Sequence, residues 1–236
     1  MKDNEEKTMS KTKIICSVHW IPKTGFKELI DQNKDLYLPI CGGSLLKDSE
    51  DQWVKDNVLM DNCKKDNISV LNPILNELTT IYLVWKNLSL VGDAANIGFC
   101  HYRRLITREA LSCIDTCDGI VAKPIMLGVV GRPCPLQTQY GLCHYEEDFD
   151  MLKQTVDEAG LLDQEIWNEW ASNMFLFAPC NCFVFKREVF NMFCKDLFKI
   201  ALQLPGKIDV SGRDDYQKRA SGFLSERFTS YWCWMM

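Results

Sequence analysis

Residues 98–104 read Gly-Phe-Cys-His-Tyr-Arg-Arg, an apolar stretch of strand length that ends in two ring-bearing and two cationic side chains. In α/β proteins small ligands bind at the carboxyl ends of strands. His101, Tyr102, Arg103 and Arg104 therefore form a compact cationic set where a small phosphorylated ligand can be held, in a chain whose formal net charge is -5. Guanidinium groups match phosphate geometry and keep their charge at any working pH. The plain alternative for each is structural: an arginine paired to a helix, and a histidine hydrogen-bonded within the core.

Three more places carry residues suited to a ligand. In "YLPICGG" at 37–43, Gly42 and Gly43 mark a turn and permit close approach of the backbone to a ligand or a neighbouring chain. In "DNIS", Asn67 and Ser69 precede the best helical pattern, where they either cap a turn or border a helix start that offers N–H groups to phosphate. In "TQYGLCHYEEDF", Gln139, Tyr140 and His144 can hydrogen-bond sugar hydroxyls while a ring face packs on the sugar, or else serve the local packing.

The elements that must position these groups alternate. "KIICSV" (13–18), "IGFC" (97–100), "GIVAK" (119–123) and "CFVFKR" (182–187) are short apolar runs that predict strands. Asn72 as cap and Pro73 at the first position open the clearest predicted helix, with Leu75, Leu78, Ile81, Tyr82 and Trp85 on one stripe. Further helices are predicted over 149–159, 163–172 and 188–204, and a last helical block on both sides of Gly222. The charged stretch 47–66 reads as surface loop or short helix that packs little. The order implies an α/β fold with a mostly parallel central sheet flanked by helices.

Composition narrows the class. The chain has 236 residues, 47% hydrophobic and 25% charged, which suits one substantial globular domain over 13–236 behind a disordered leader at 1–12. No broad basic stripe is visible, so nucleic acid is disfavoured as a partner. The 12 cysteines sit among ordinary strand and helix residues and are expected to be reduced. Cys113/Cys117 and Cys180/Cys182 lack the spacing of a zinc motif, so no metal ligands are assigned. The start of the chain has no apolar run after its charges and no segment is long enough to span a membrane, which points to a cytoplasmic protein. The terminal "SYWCWMM" either packs into the core or touches a membrane interface peripherally.

The sets "YLPICGG", "DNISVLNPILNELTTIYLVWKN", "IGFCHYRR", "QY" followed by His144, and "YQKRASGFLSERF" together resemble, in order and spacing, the DUF4422 family of bacterial capsule and exopolysaccharide clusters. The resemblance runs from about Lys13 to Phe228 and departs at "CKKD" before Asn67 and at Phe228. It implies a GT-A-like nucleotide-diphospho-sugar transferase fold. It also implies hexosyl transfer, galactofuranosyl among the options, from a UDP-sugar to a glycan or lipid-linked glycan. A lipid-linked acceptor would bring the protein to the inner face of the plasma membrane.

In that fold a strand end normally carries a DxD motif that holds Mn or Mg against the diphosphate; here the corresponding end carries the HYRR set instead, and no DxD is expected elsewhere in the chain. Arg103 or Arg104 is then the diphosphate clamp, Tyr102 its neighbour, and His101 a second donor or an unusual metal ligand; metal dependence stays open. Glu77 in "NELT", which on a helix would otherwise be a solvated carboxylate, becomes a candidate structural or substrate contact. Inverting transfer needs a carboxylate as general base, for which Asp215 and Glu226 stand equal and Asp214 behind. Arg219 lies seven residues before Glu226, so the two can form an ion pair or share a substrate face. A noncatalytic nucleotide-sugar or glycan-binding protein of the same pathway, or another phosphate-handling enzyme, are the competing readings.

Overall fold

The computed structural model describes residues 12–129, 131–174 and 176–236. The leader expected over 1–12 lies outside the described residues except for Thr12, which already belongs to the first strand. The strands are β1 Thr12–Val18, β2 Tyr37–Cys41, β3 Leu59–Met60, β4 Asn96–His101, β5 Gly119–Val121, β6 Ile125–Met126, β7 Gly128–Val129, β8 Arg132–Pro133, β9 Leu176–Phe177 and β10 Phe183–Lys186. The helices are α1 Thr24–Gln32, α2 Gln52–Asn57, α3 Asn72–Leu75, α4 Leu78–Lys86, α5 Leu136–Cys143, α6 Glu146–Glu158, α7 Gln164–Ser172, α8 Arg187–Ala201 and α9 Ala220–Met235. The chain divides into two compact units, residues 1–121 with 182–194, and residues 122–181 with 195–236.

The first unit holds a six-stranded sheet in the order β3-β2-β1-β4-β10-β5. β3, β2, β1 and β4 run parallel, and β10 is antiparallel to both β4 and β5. This is the mixed, mostly parallel sheet with flanking helices that the alternation of elements implied. Ile14, Ile15, Cys16 and Val18 of β1 are all fully enclosed, as a central strand covered on both faces requires. Gly98 explains why β4 can lie so close to β10. A Cβ there would meet Val184 Cγ2 at 2.8 Å and the Phe183 carbonyl oxygen at 2.9 Å.

Register brings the parallel strands to a common edge. Ser17 pairs with His101, Val18 with Cys41, and Cys41 with Met60. The residues that leave the sheet there are His19, Gly42, Asp61 and Tyr102, one from each strand end. Behind them Val18, Cys41, Val54 and Val58 form a buried cluster on which Phe26, Trp53 and Tyr102 pack.

The long helix expected from Asn72 onward is broken. α3 ends at Leu75, Asn76 adopts φ 53 and ψ -131, and α4 begins at Leu78. Thr80, which lies off the predicted stripe, is fully enclosed, as is Thr79, while Tyr82 and Trp85 are only partly covered. The stretch 47–66, expected to pack little, contains α2 with buried Val54 and the edge strand β3.

The second unit packs α5, α6, α7 and α9 around an aromatic core. Phe149 stacks on Trp170, and Tyr231 contacts both Trp167 and Trp170 edge-on or tilted. α7 is capped by Asp163, which accepts from the Glu165 and Ile166 N–H groups. α9 continues through Gly222 without a break and buries Tyr231 and Trp232. Trp234 and Met236 stay exposed. No helix among the described residues is long and apolar enough to cross a membrane.

Candidate functional site

The loop after β2 is built around a carboxylate that sequence reading passed over. Asp61, wholly enclosed at the end of β3, accepts from Gly43 N (2.7 Å), Ser44 N (3.0 Å), Ser44 Oγ (3.1 Å), Thr79 Oγ1 (2.6 Å) and Ser69 Oγ. One buried anion thus ties the β2 loop, the segment before α3 and the start of α4 together, with charge-assisted hydrogen bonds that are stronger than neutral ones. Asn67 accepts from Ser69 N and donates to the Lys64 carbonyl, the capping alternative for this residue. Ser69 spends its hydroxyl on Asp61.

Gly42 and Gly43 leave room for Asn72 and His19. A Cβ on Gly42 would sit 2.7 Å from Asn72 Nδ2 and 3.2 Å from His19 Cε1; one on Gly43 would sit 2.7 Å from Asn72 Oδ1. Gly43 also has φ +63. The loop lies directly against Asn72, whose amide donates to the Asn76 carbonyl (2.7 Å) and to Thr79 (3.1 Å). These bonds hold the interrupted helix in its kink.

Past the kink, Glu77 lies at the same edge as the end of β4. Its Oε2 is 3.9 Å from His101 Nε2, with both side chains mostly covered. The His101 ring contacts those of His19 and Tyr102, at centroid distances of 5.8 and 5.7 Å. The HYRR segment turns back at once, Arg104 N donating to the His101 carbonyl. Arg103 and Arg104 are exposed, and the Arg103 guanidinium sits 5.0 Å from the centre of the Tyr102 ring. Beside them a groove of about 630 Å³ is lined by Trp20, Ile21, Pro22, Phe26, Tyr102 and Arg103, within the size range of small-molecule sites. His101, Tyr102, Arg103, Glu77, Gly42, Gly43 and Ser69 are thus grouped around one sheet edge. His19, Asp61 and the groove segment 20–26 were missed: a lone histidine after a strand and an aspartate in a charged run carry no pattern of their own.

The remaining predicted residues lie in the second unit. Tyr140 is a core residue whose hydroxyl is buried without a hydrogen-bond partner among the described residues, and burial pushes its pKa up. His144 stacks on Phe223 at 4.5 Å and donates from Nδ1 to Gln217 Oε1 at 3.1 Å. Burial holds it below its ordinary value of 6.5. Gln139 accepts from Arg227 (3.3 Å). Asp214 caps the turn at Gln217 N (2.7 Å), and Asp215, 99% exposed, pairs with Lys218. Arg219 lies over Phe223. Glu226 accepts from Cys180 N and pairs with its neighbour Arg227 at 3.2 Å. It thereby supports a turn in which Cys180 and Asn181 both have positive φ.

No group of three His, Cys, Asp or Glu side chains among the described residues is arranged to hold a metal ion. An Asp-x-Asp string does occur, Asp148-Phe149-Asp150, away from any strand end and inside α6. Asp148 is buried in a two-pronged pair with Arg213 (2.5 and 2.9 Å) and Phe149 is core, so the string does not fit a metal-diphosphate role. No disulfide joins the cysteines among the described residues.

A family model described as a domain of unknown function, DUF4422, matches residues 26–235. A solved structure titled as the apo form of WbbM, a bifunctional glycosyltransferase, is similar with a TM-score of 0.73 at 19% identity. The match covers 95% of this chain and 42% of that one, so the chain spans less than half of its length. At that identity the likeness is one of fold. No curated protein sequence matches the chain.

Proposed function

The chain belongs to the DUF4422 family, and from that premise we propose that it is a GT-A-type glycosyltransferase acting on a UDP-sugar. The unit transferred is a hexosyl group, galactofuranosyl among the candidates, and the acceptor is a glycan or lipid-linked glycan of capsule or exopolysaccharide synthesis. The observation that carries this reading is the convergence of four parallel strand ends on one edge, with exposed Arg103 and Arg104 beside a ligand-sized groove.

On this reading the nucleotide lies along the edge with its diphosphate at Arg103, Tyr102 forming the wall behind it. As the bond from the sugar to the diphosphate breaks, negative charge grows on the leaving oxygens. A guanidinium already in place stabilises it without reorganisation. His101 is a second donor at the same strand end. Mn or Mg has no fitting ligand set among the described residues, and no step is assigned to it. The acceptor's lipid would bring the protein to the inner membrane face.

A binding protein without catalysis is the second reading, and one observation favours it. Asp214, Asp215 and Glu226, the carboxylates expected to act as base, cap turns or pair with cations. The two are separated by incubating the protein with UDP-hexoses in both ring forms and a lipid-linked glycan, then following UDP release. Release that depends on the acceptor is the expected result. Donor binding with no acceptor-dependent release would leave the binding protein as the function.

A further inference from the structure

We propose that Glu77 is the general base of the strand-end site, taking the proton of the acceptor hydroxyl, with the His101 imidazole beside its carboxylate. This rests on the glycosyl-transfer reading above and supplies the base that Asp214, Asp215 and Glu226 leave unassigned.

The backbone at this point is unusual. Asn76 has φ 53 and ψ -131, a conformation L residues rarely adopt, and it interrupts what would otherwise be one helix from Asn72 to Lys86. Such a residue persists only where its surroundings over-determine it, and strain of this kind gathers at functional sites. Here Asn76 N donates to the Asn72 carbonyl (2.8 Å), and the Asn76 carbonyl accepts from Asn72 Nδ2 (2.7 Å). Asn72 is in turn backed by the two glycines, and Thr79 by Asp61. The residue directly after the strained one is Glu77.

Its surroundings suit a base. The Glu77 side chain keeps 14% of its surface exposed and its Oε2 lies 3.9 Å from His101 Nε2, while the His19 and His101 ring centroids are 5.8 Å apart. Catalytic contacts are often this long before substrate arrives. Asp61 cannot reach a substrate because it is enclosed, and Asp66 receives the Tyr82 hydroxyl. In the step proposed, the acceptor O–H bond breaks and its proton passes to Glu77. The freed oxygen pair forms the new bond to the anomeric carbon, and the old carbon–oxygen bond breaks with its pair leaving on UDP. Solvent then takes the proton from Glu77.

The test compares wild type with Glu77→Gln and Glu77→Asp, measuring donor affinity by calorimetry and transfer in a single turnover. The expected result for Glu77→Gln is donor affinity within about twofold of wild type and transfer slowed by about 100-fold or more, the usual share of a general base. Glu77→Asp should recover part of the rate. Should Glu77→Gln fail to fold, Glu77→Asp carries the test by a slower transfer at unchanged affinity. Wild-type transfer rates in either folded variant overturn the proposal, as does a loss confined to donor affinity, which would make Glu77 a donor-binding group. A wild-type protein that binds no UDP-sugar defeats the underlying reading instead, and the wild type alone reveals it.

Discussion

At the scale of single residues, Asp61 ties together the loops at the strand-end edge. Five donors converge on a carboxylate with no exposure, and removing it leaves buried N–H and hydroxyl groups without an acceptor. Each such orphan costs about 1–3 kcal/mol. Asp61→Ala is expected to lower the unfolding free energy by about 3 kcal/mol or more, read from urea titrations, and a loss below about 1 kcal/mol would contradict the role given to it. His144 makes a second prediction. Its folded-state pKa lies below the ordinary 6.5 because burial disfavours the cation. The unfolded chain therefore binds a proton more readily, and stability present above pH 6.5 is lost as the pH falls through the folded-state value. Urea midpoints should drop between pH 7.5 and pH 5, and His144→Gln should make that drop smaller. An unchanged slope in the variant would remove His144 as a contributor.

At the scale of elements, the close approach of β4 and β10 sets where His101 emerges. Gly98→Ala places a methyl group against a backbone oxygen that cannot step aside, and such overpacking costs about 1–3 kcal/mol. A thermal melt unchanged by this substitution would show that the two strands have slack. The elements were legible to different degrees for physical reasons. The runs "KIICSV" and "IGFC" announce buried strands because a strand covered on both faces needs nothing but apolar side chains, and both are strands in the structure. The helix over 72–88 was misread as continuous because its apolar stripe persists across the break. The break comes from hydrogen bonds of Asn72, which no periodicity reports. β3 and Asp61 were hidden in a charged stretch, where a buried aspartate looks like its solvated neighbours. The HYRR end was legible because four polar side chains directly after a buried strand have to lie at its edge.

At the scale of the whole molecule, the chain carries net charge -5 yet exposes Arg103 and Arg104 at one strand-end edge. That contrast is the central claim: the edge is a diphosphate site. The direct test is a calorimetric titration of UDP and UDP-sugars into the wild type and Arg103→Ala, first with manganese and then with chelator. The account predicts UDP binding in the micromolar range that survives the chelator and is lost in Arg103→Ala. Wild-type protein that binds no uridine nucleotide under either condition, or an Arg103→Ala variant that binds as well as wild type, would contradict it.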